Sequence, residues 1–320
     1  MYRSLLVPLD GSPFAEQALP FAMSIARRAG ASLQVVAVAR FSHLSSKGTY
    51  DHWGRAWHDY LGRVVERVQS QCAVFVSSVF LEEEGDDVAP IISAHAKSIG
   101  VDLIVMATHG RGALGRFWLG SVPYELMQIS SLPLLLVRPN DNLPEWENVS
   151  LPQHVLVPLD GSSLAEGMIE PAVTLGSLMD ADYTLIRVIN DVPMGSPELD
   201  SISLSSLAVE VLDEVRSVQE RVQKEAQDYL DGIAERLRAR GLQVQTRVMV
   251  ADDPGTAILD EAGAPGIDLV ALETHGRRGL RNLIMGSVAR KVIHGTSKPV
   301  LVQSATRDCS DTLALANKQQ

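Results

Sequence analysis

Two long-range repeats constrain this sequence more than any other feature. Residues 5–12, Leu-Leu-Val-Pro-Leu-Asp-Gly-Ser, return as Val-Leu-Val-Pro-Leu-Asp-Gly-Ser at 155–162. Thr-His-Gly-Arg at 108–111 returns at 274–277, and a short spacer then leads to Gly-Ser-Val in both places. The first repeat is offset by 150 residues and the second by 166. The chain therefore contains two copies of one domain that differ by an insertion of 16 residues.

The length of 320 residues fits two domains of about 150 residues each. We predict the first domain at 1–140 and the second at 153–304. The turn-rich residues that begin at Asn140 predict a linker at 141–152. A polar segment at 305–320 predicts a disordered tail.

Charge is distributed unevenly between the copies. Residues 1–140 hold 12 basic and 12 acidic side chains, whereas 141–320 hold 16 and 27, so the net charge of -11 belongs to the second half. An acidic protein without a basic stripe is not typical of nucleic-acid binding. No apolar run reaches the ~20 residues of a membrane span, and the first residues lack a signal-peptide pattern, so we predict a cytoplasmic protein without membrane contact.

Each copy alternates short apolar runs with helical patterns, which predicts an α/β fold. The pattern predicts two tandem, doubly wound, Rossmann-like domains, each with a five-stranded parallel sheet flanked by helices. The predicted strands of the first copy are Leu5–Leu9, Leu33–Ala39, Val74–Phe80, Leu103–Ala107 and Leu134–Val137. Helical patterns cover Phe14–Ala29 and the region Trp57–Gln71. Ligands of such folds bind at the carboxyl ends of the strands, where both repeated motifs lie.

The insertion in the second copy falls before its third strand. Apolar residues from Val211 to Leu237 recur there at three- and four-residue steps, which predicts one long amphipathic helix ending near Gly241. This helix either packs on its own sheet or projects toward a partner.

The order of these motifs resembles the universal stress proteins in their tandem form. That resemblance implies a fold like the adenine nucleotide alpha hydrolases and a site for ATP. The family motif for ATP is Gly, two residues, Gly, nine residues, Gly, then Ser or Thr. It aligns with Ala107, Gly110, Gly120 and Ser121 in the first copy, and with Glu273, Gly276, Gly286 and Ser287 in the second. The spacing is intact in both copies, but the first glycine is replaced in both.

The residues independently favour a phosphate site in the first copy. Gly110 and Gly120 allow the backbone to approach an anion, and residues 120–122 begin a helix whose free N–H groups favour phosphate. Arg111 or Arg116 could add positive charge. The alternative is that the glycines only form turns and that Ser121 only caps the helix.

Two further positions lie at strand ends 28 residues apart in each copy: Asp10 with Val38, and Asp160 with Val188. The resemblance implies that the aspartate lies near ribose or a magnesium ion and that the valine backbone lies beside adenine. A carboxylate there can accept from a ribose hydroxyl or bind a hard cation. The alternative is a turn residue that bonds the backbone after it.

The candidate nucleotide-binding residues form two sets. In the first copy they are Pro8, Leu9, Asp10, Val38, Ala107, His109, Gly110, Arg111, Gly120, Ser121 and Val122. In the second, weaker site they are Pro158, Leu159, Asp160, Val188, Glu273, His275, Gly276, Arg277, Gly286, Ser287 and Val288. The expected ligand is ATP or a related adenine nucleotide, with Asp10 as the candidate contact for its Mg²⁺. His109 and His275 have no ligand partners at metal spacing, so we expect them to orient the loop.

The two replacements of the first glycine differ in consequence. Ala107 adds one methyl group, whereas Glu273 places a carboxylate close to the phosphates if its side chain points into the crevice. Alternatively, Glu273 turns to solvent or accepts from a ribose hydroxyl, with nearby arginines offsetting its charge. We predict that the first copy binds nucleotide and that the second is weakened or empty.

The leading hypothesis is a nucleotide-binding regulatory or stress-response module that acts on an unidentified protein partner. No catalytic residue is predicted, because no general base or nucleophile lies beside the phosphates. The alternatives are slow ATP hydrolysis or nucleotidyl transfer through Asp10 and Ser121, and a scaffold without nucleotide. By resemblance, the last strands Leu134–Val137 and Val300–Val302 should pair inside the chain, leaving further homodimerisation open.

Overall fold

The computed structural model describes residues 1–40, 47–83, 87–108, 119–139, 152–191, 206–274 and 285–304. Its strands are β1 (Ser4–Pro8), β2 (Ser32–Arg40), β3 (Val76–Glu83), β4 (Leu103–Ala107), β5 (Leu134–Val137), β6 (His154–Pro158), β7 (Asp182–Ile189), β8 (Val244–Val250), β9 (Leu269–Glu273) and β10 (Val300–Gln303). Its helices are α1 (Pro13–Glu16), α2 (Leu19–Ala29), α3 (Lys47–Gln71), α4 (Val88–Ser98), α5 (Ser121–Ile129), α6 (Ser163–Glu166), α7 (Ile169–Gly176), α8 (Ser206–Arg238), α9 (Pro254–Ala262) and α10 (Ser287–Gly295).

All ten strands form one sheet in the order β3-β2-β1-β4-β5-β10-β9-β6-β7-β8. Within each copy the strands are parallel, as in β1 against β2 and β6 against β7. The copies meet where β5 and β10 pair antiparallel, centred on Leu135 opposite Leu301. Both the doubly wound α/β class and the predicted pairing of the last strands are confirmed. All but the last residue of the predicted linker (141–152) lies outside the described residues, as does the whole predicted tail (305–320).

Helices cover both faces of the sheet, which explains the nearly continuous apolar runs of the strands. Leu5 and Val7 belong to a core under α2, α3, α7 and α8, whereas Leu6 belongs to the core on the opposite face. All three side chains are fully buried. Successive side chains of a strand point to opposite faces, so a strand in this position has no side chain left for solvent.

Two predicted helices have different bounds in the structure. The predicted helix over Phe14–Ala29 is interrupted between α1 and α2, because Pro20 has no N–H to donate back to Glu16. Helix α3 begins at Lys47, ten residues before the predicted start at Trp57. Gly30, with φ of +64°, ends α2 as predicted.

The long helix of the second copy spans α8 and packs on its own sheet through its carboxyl-terminal half. Leu230, Ile233 and Leu237 are buried there, and the helix contacts β7 and β8. Toward its amino end Leu212 is 43% exposed, so the inserted turns extend beyond the core. The prediction that this helix packs on its own sheet therefore holds for one half of it.

Candidate functional site

The Asp-Gly-Ser turn follows β1 and fixes Asp10 at the carboxyl end of the sheet. Asp10 Oδ1 accepts from the Ser12 backbone N–H at 2.9 Å and from the Ser12 hydroxyl at 2.6 Å. Ser12 Oγ in turn accepts from the Ala15 N–H at 3.1 Å, which caps α1. Gly11 has φ of +77°, a left-handed conformation that glycine adopts without strain. The turn role considered for Asp10 is thus observed, and Ser12 caps the helix that follows.

The second copy builds the same turn after β6. Asp160 Oδ1 accepts from the Ser162 N–H at 2.9 Å, and Ser162 Oγ accepts from the Ala165 N–H at 3.2 Å. Gly161 has φ of +85°. Each copy therefore orients one carboxylate at the same strand end by the same local bonds.

The strand order places this turn at the point where the direction of winding reverses. From β1 the chain runs outward through β2 and β3, whereas β4 and β5 lie on the other side of β1. Leu6 pairs with Ile104 in parallel register, so the carboxyl ends of β1 and β4 lie side by side. Ligands of doubly wound sheets bind in the crevice at such a switch point.

The Gly-Ser-Val segment is held at the end of β4 by a backbone hydrogen bond. The Gly120 N–H donates to the Thr108 carbonyl at 2.8 Å, and the Gly286 N–H donates to the Thr274 carbonyl at the same distance. A methyl group at Gly120 would approach the Thr108 oxygen to 3.3 Å, closer than most such contacts. Glycine therefore permits the tight return of the chain to the strand end.

The helices that follow these glycines begin without a side-chain cap. Gly120 is the N-cap of α5 and Gly286 that of α10, and no side chain among the described residues caps either helix. By contrast, Ser12 and Ser162 cap α1 and α6 through their hydroxyls. The first N–H groups of an uncapped helix carry the positive end of its dipole and are suited to bind an anion.

Three more candidates of the first copy lie near the carboxyl ends of the strands or at the start of α5. Val38 lies near the end of β2, half-buried, and packs against the core on the Leu6 face. Ala107 ends β4 and is 7% exposed, while Ser121 is exposed at the first turn of α5. The structure brings together the ends of β1, β2 and β4 and the start of α5. Six candidates lie outside the described residues: His109, Gly110 and Arg111 of the first copy, and His275, Gly276 and Arg277 of the second.

The carboxylate of Glu273 folds back onto the residue that follows it. Its Oε1 accepts from the Thr274 backbone N–H at 3.0 Å and lies 3.4 Å from the Thr274 hydroxyl. The same N–H is 3.4 Å from the Gln303 carbonyl, whereas the equivalent bond from Thr108 to Val137 is 2.9 Å. The glutamate thus supplements a lengthened bond between β9 and β10.

A polar cluster that was not predicted from the sequence connects α3 to α1, the short helix after the Asp-Gly-Ser turn. The Tyr60 hydroxyl donates to Glu16 Oε1 at 3.0 Å, and Arg67 Nη1 lies 3.7 Å from Glu16 Oε2. A signal was available in the sequence, because all three residues recur in the second copy. The cluster joins the long helix to the short helix that follows Asp10.

The second copy repeats the cluster and adds a cation. The Tyr229 hydroxyl donates to Glu166 Oε1 at 3.1 Å, and Arg236 Nη2 lies 3.9 Å from Glu166 Oε2. The guanidinium of Arg187 lies over the Tyr229 ring, 4.9 Å from its centroid. Burial, followed by the charge of Glu166, raises the pKa of the Tyr229 phenol, and Asp160 contributes in the same direction. The first copy has Ala37 in place of Arg187, so the two sites differ in charge.

Comparison with known proteins places this arrangement in a family. The model of the universal stress protein family matches residues 1–138 and again 152–303. The chain belongs to the universal stress protein family.

Relatives of this universal stress protein have the same organisation. One universal stress protein of Mycobacterium tuberculosis is 28% identical over 203 residues, which span 63% of this chain and 61% of the relative. A second from that organism is 24% identical over 325 residues, covering 95% of this chain and 96% of the relative. The crystal structure of a universal stress protein from Archaeoglobus fulgidus superposes with a TM-score of 0.66 at 20% identity, covering 95% and 98% of the two chains, and shows the shared fold.

The described residues contain neither a cluster of metal-binding side chains nor a membrane-spanning helix. Within the described ranges, no group of three or more His, Cys, Asp or Glu side chains is placed to hold a metal ion. No helix among the described residues has both the length and the apolar character to cross a bilayer.

Proposed function

We propose that this universal stress protein binds an adenine nucleotide, ATP or a close relative, in its first copy. The site lies at the carboxyl ends of β1, β2 and β4, beside the start of α5. Bound nucleotide acts as a regulatory signal that changes the conformation or the partner binding of the protein during a stress response. The second copy binds the nucleotide more weakly or completes the pair without it.

The observation that carries this proposal is the geometry of Gly120. Its N–H group returns to Thr108 at the end of β4, and the helix behind it begins without a side-chain cap. The N–H groups of Ser121 and Val122 then remain at the start of α5 for a ligand at the switch point of the sheet, because Pro123 has no N–H and that of Tyr124 donates to the Gly120 carbonyl. A phosphate group satisfies such N–H groups and the helix dipole together.

The roles of the other residues follow from their chemistry. Ser121 adds a hydroxyl donor to the phosphates at the start of α5. The carboxylate of Asp10 serves the ribose or the Mg²⁺ that accompanies the nucleotide. The backbone of Val38 lies along the base, in line with the family resemblance.

The experiment is a calorimetric titration of Mg-ATP into the full chain and into two matched variants. Ser121→Glu places a carboxylate at the proposed phosphate position, and we expect it to weaken binding by about tenfold or more. Ser217→Glu makes the same change on the exposed surface of α8 and should leave the affinity unchanged. If both variants bind Mg-ATP with equal affinity, the phosphate site does not lie at the start of α5.

The same samples separate binding from turnover. We expect ADP and AMP to stay at background after long incubation of ATP with concentrated protein. Product that forms with the wild type and disappears with Asp10→Ala would assign an enzymatic role instead. Absence of any nucleotide binding by the wild type would favour a scaffold.

A further inference from the structure

A cleft of about 440 Å³ lies between the two copies, away from the proposed nucleotide site. Helix α2 of the first copy forms one wall through Phe21, Arg27 and Arg28. The opposite wall comes from the amino-terminal ends of the second copy's strands, with Asp268 before β9 and Lys298 before β10. The Asp-Gly-Ser turns lie at the other, carboxyl ends of the strands, so this cleft is a separate place on the molecule.

The cleft is cationic in a protein whose net charge is -11. It is lined by three basic side chains and one carboxylate, that of Asp268, which accepts from the Gln153 backbone N–H at 3.0 Å. Within the described part of the chain, neither Arg27 nor Lys298 forms an ion pair with a carboxylate. A local excess of positive charge in a concave surface attracts small anions.

One arginine of the cleft is already oriented by the second copy. Arg28 Nη1 donates to the Leu178 carbonyl at 3.0 Å, so the guanidinium spans the boundary between the copies. Its other N–H groups keep the capacity to donate to a ligand, because a guanidinium carries five of them.

The three basic residues of the cleft have no basic counterparts in the other copy. Under the offset of 150 residues, Arg27 and Arg28 correspond to Ser177 and Leu178, just after α7. Under the offset of 166 residues, Lys298 corresponds to Leu132. These three positions are uncharged although the fold there is the same, and the one basic residue nearby, Arg3 at the position of Gln153, lies 4.0 Å from Asp102. The three basic residues are therefore not a requirement of packing between the copies.

We propose that this cleft binds a small phosphorylated metabolite through a diphosphate or comparably charged group. Arg27, Arg28 and Lys298 contact the phosphates, since paired guanidinium and ammonium donors recognise them by charge-assisted hydrogen bonds. The adjoining surfaces of Phe21 and Met179 receive the less polar part of the molecule. The volume falls within the roughly 300–1,000 Å³ that small-molecule sites occupy. A ligand held by both walls links the two copies.

Pyrophosphate is the probe, titrated calorimetrically into the intact chain at low ionic strength. We expect saturable binding that weakens by about tenfold or more in the double variant Arg27→Gln, Lys298→Gln. The control Arg63→Gln, Lys224→Gln removes the same charge from exposed positions on α3 and α8 and should bind as the wild type does. Arg28 is left in place because it contacts the second copy. Thermal unfolding midpoints of both double variants verify that they fold.

A third variant separates this cleft from the nucleotide site. Ser121→Glu with Ser287→Glu blocks both proposed phosphate positions, and pyrophosphate binding in the cleft should survive it. Two results would overturn the proposal for the cleft. One is loss of pyrophosphate binding in that variant, and the other is unchanged pyrophosphate binding in Arg27→Gln with Lys298→Gln. Absence of pyrophosphate binding by the wild type would also overturn it, whatever the outcome with ATP.

Discussion

The hydroxyl of Tyr60 donates a hydrogen bond to Glu16 Oε1 at 3.0 Å, and Tyr229 makes the equivalent bond to Glu166 at 3.1 Å. The bond therefore persists in both copies although the surrounding sequences have diverged. Each tyrosine belongs to a long helix and each glutamate to the short helix after the Asp-Gly-Ser turn. The bond thus connects the long helix of each copy to the short helix after the turn.

Removing either hydroxyl should destabilise the protein by a similar amount. Tyr60→Phe and Tyr229→Phe each remove the hydroxyl that donates to a half-buried glutamate, which costs about 1 kcal/mol. Urea unfolding followed by circular dichroism measures this loss, with Tyr124→Phe on the exposed face of α5 as control. A stability equal to that of the wild type in both variants would show that the bond contributes nothing.

The residue types at positions 107 and 273 should determine how strongly each copy binds nucleotide. Ala107→Glu introduces a carboxylate beside the proposed phosphates and should weaken ATP binding by the first copy about tenfold or more. Glu273→Ala removes it from the second copy and should add a second binding event to the titration. If the stoichiometry of Glu273→Ala stays the same, the carboxylate is not what weakens the second site.

Two substitutions at one position separate the turn from the ligand. Asp10→Asn keeps an oxygen for the Ser12 donors but removes the charge, so we expect near-normal stability and weaker Mg-ATP binding. Asp10→Ala removes both and should also lower the free energy of unfolding by about 1 to 2 kcal/mol. Unfolding curves and titrations on the same samples check this. Asp160→Asn is the matched control, because we expect it to leave the main binding event intact.

One arginine that follows β5 adds hydrogen bonds to the contact between the copies. Arg138 Nη1 donates to the His294 carbonyl at 3.1 Å and to the Thr296 carbonyl at 2.5 Å, at the end of α10. Arg138→Met leaves these carbonyls without that donor and should cost about 1 to 3 kcal/mol. Urea unfolding compares it with Arg63→Met on the exposed face of α3. Equal midpoints for the two variants would contradict the role of Arg138.

Stability should fall in mild acid through a histidine on α4. His95 Nε2 lies 2.6 Å from Gln34 Oε1, and burial lowers the pKa of His95 below its ordinary value of 6.5. The folded protein therefore keeps the neutral ring to lower pH than the unfolded chain does. Its contribution to stability is complete above the ordinary pKa and is lost as pH falls toward the folded value.

The measurement for His95 is the urea midpoint at about pH 7.5 and about pH 5.5. His95→Asn should show a smaller decrease between the two conditions than the wild type. The same decrease in both proteins would assign the acid sensitivity to other groups.

Local patterns predicted most of the fold, because strands buried on both faces are apolar along their whole length. The bounds predicted for β4 and β5 match the structure, and Gly30 ends α2 where expected. The start of α3 was missed because its first turns contain Gly48 and Gly54, residues of low helix propensity. The interruption before α2 depends on a single proline inside an otherwise helical pattern.

The candidate site was less predictable than the fold. Both copies place their turns and glycines alike, as the repeated motifs indicate. The Glu273 carboxylate turns back to accept from the Thr274 N–H, whose bond to the Gln303 carbonyl is lengthened, and no local pattern encodes this direction. The cluster around Glu16 needs contacts between residues 44 and more positions apart, and only comparison of the two copies could have revealed it.

The pairing of β5 with β10 inside one chain has an evolutionary consequence. In a dimer of identical chains, every substitution appears on both sides of the axis, so an improvement on one side can be a defect on the other. Here Glu273, Arg187 and Lys298 each appear once. Covalent fusion also keeps the halves together at any dilution. The chain is in effect a heterodimer made in one piece, whose halves are free to specialise.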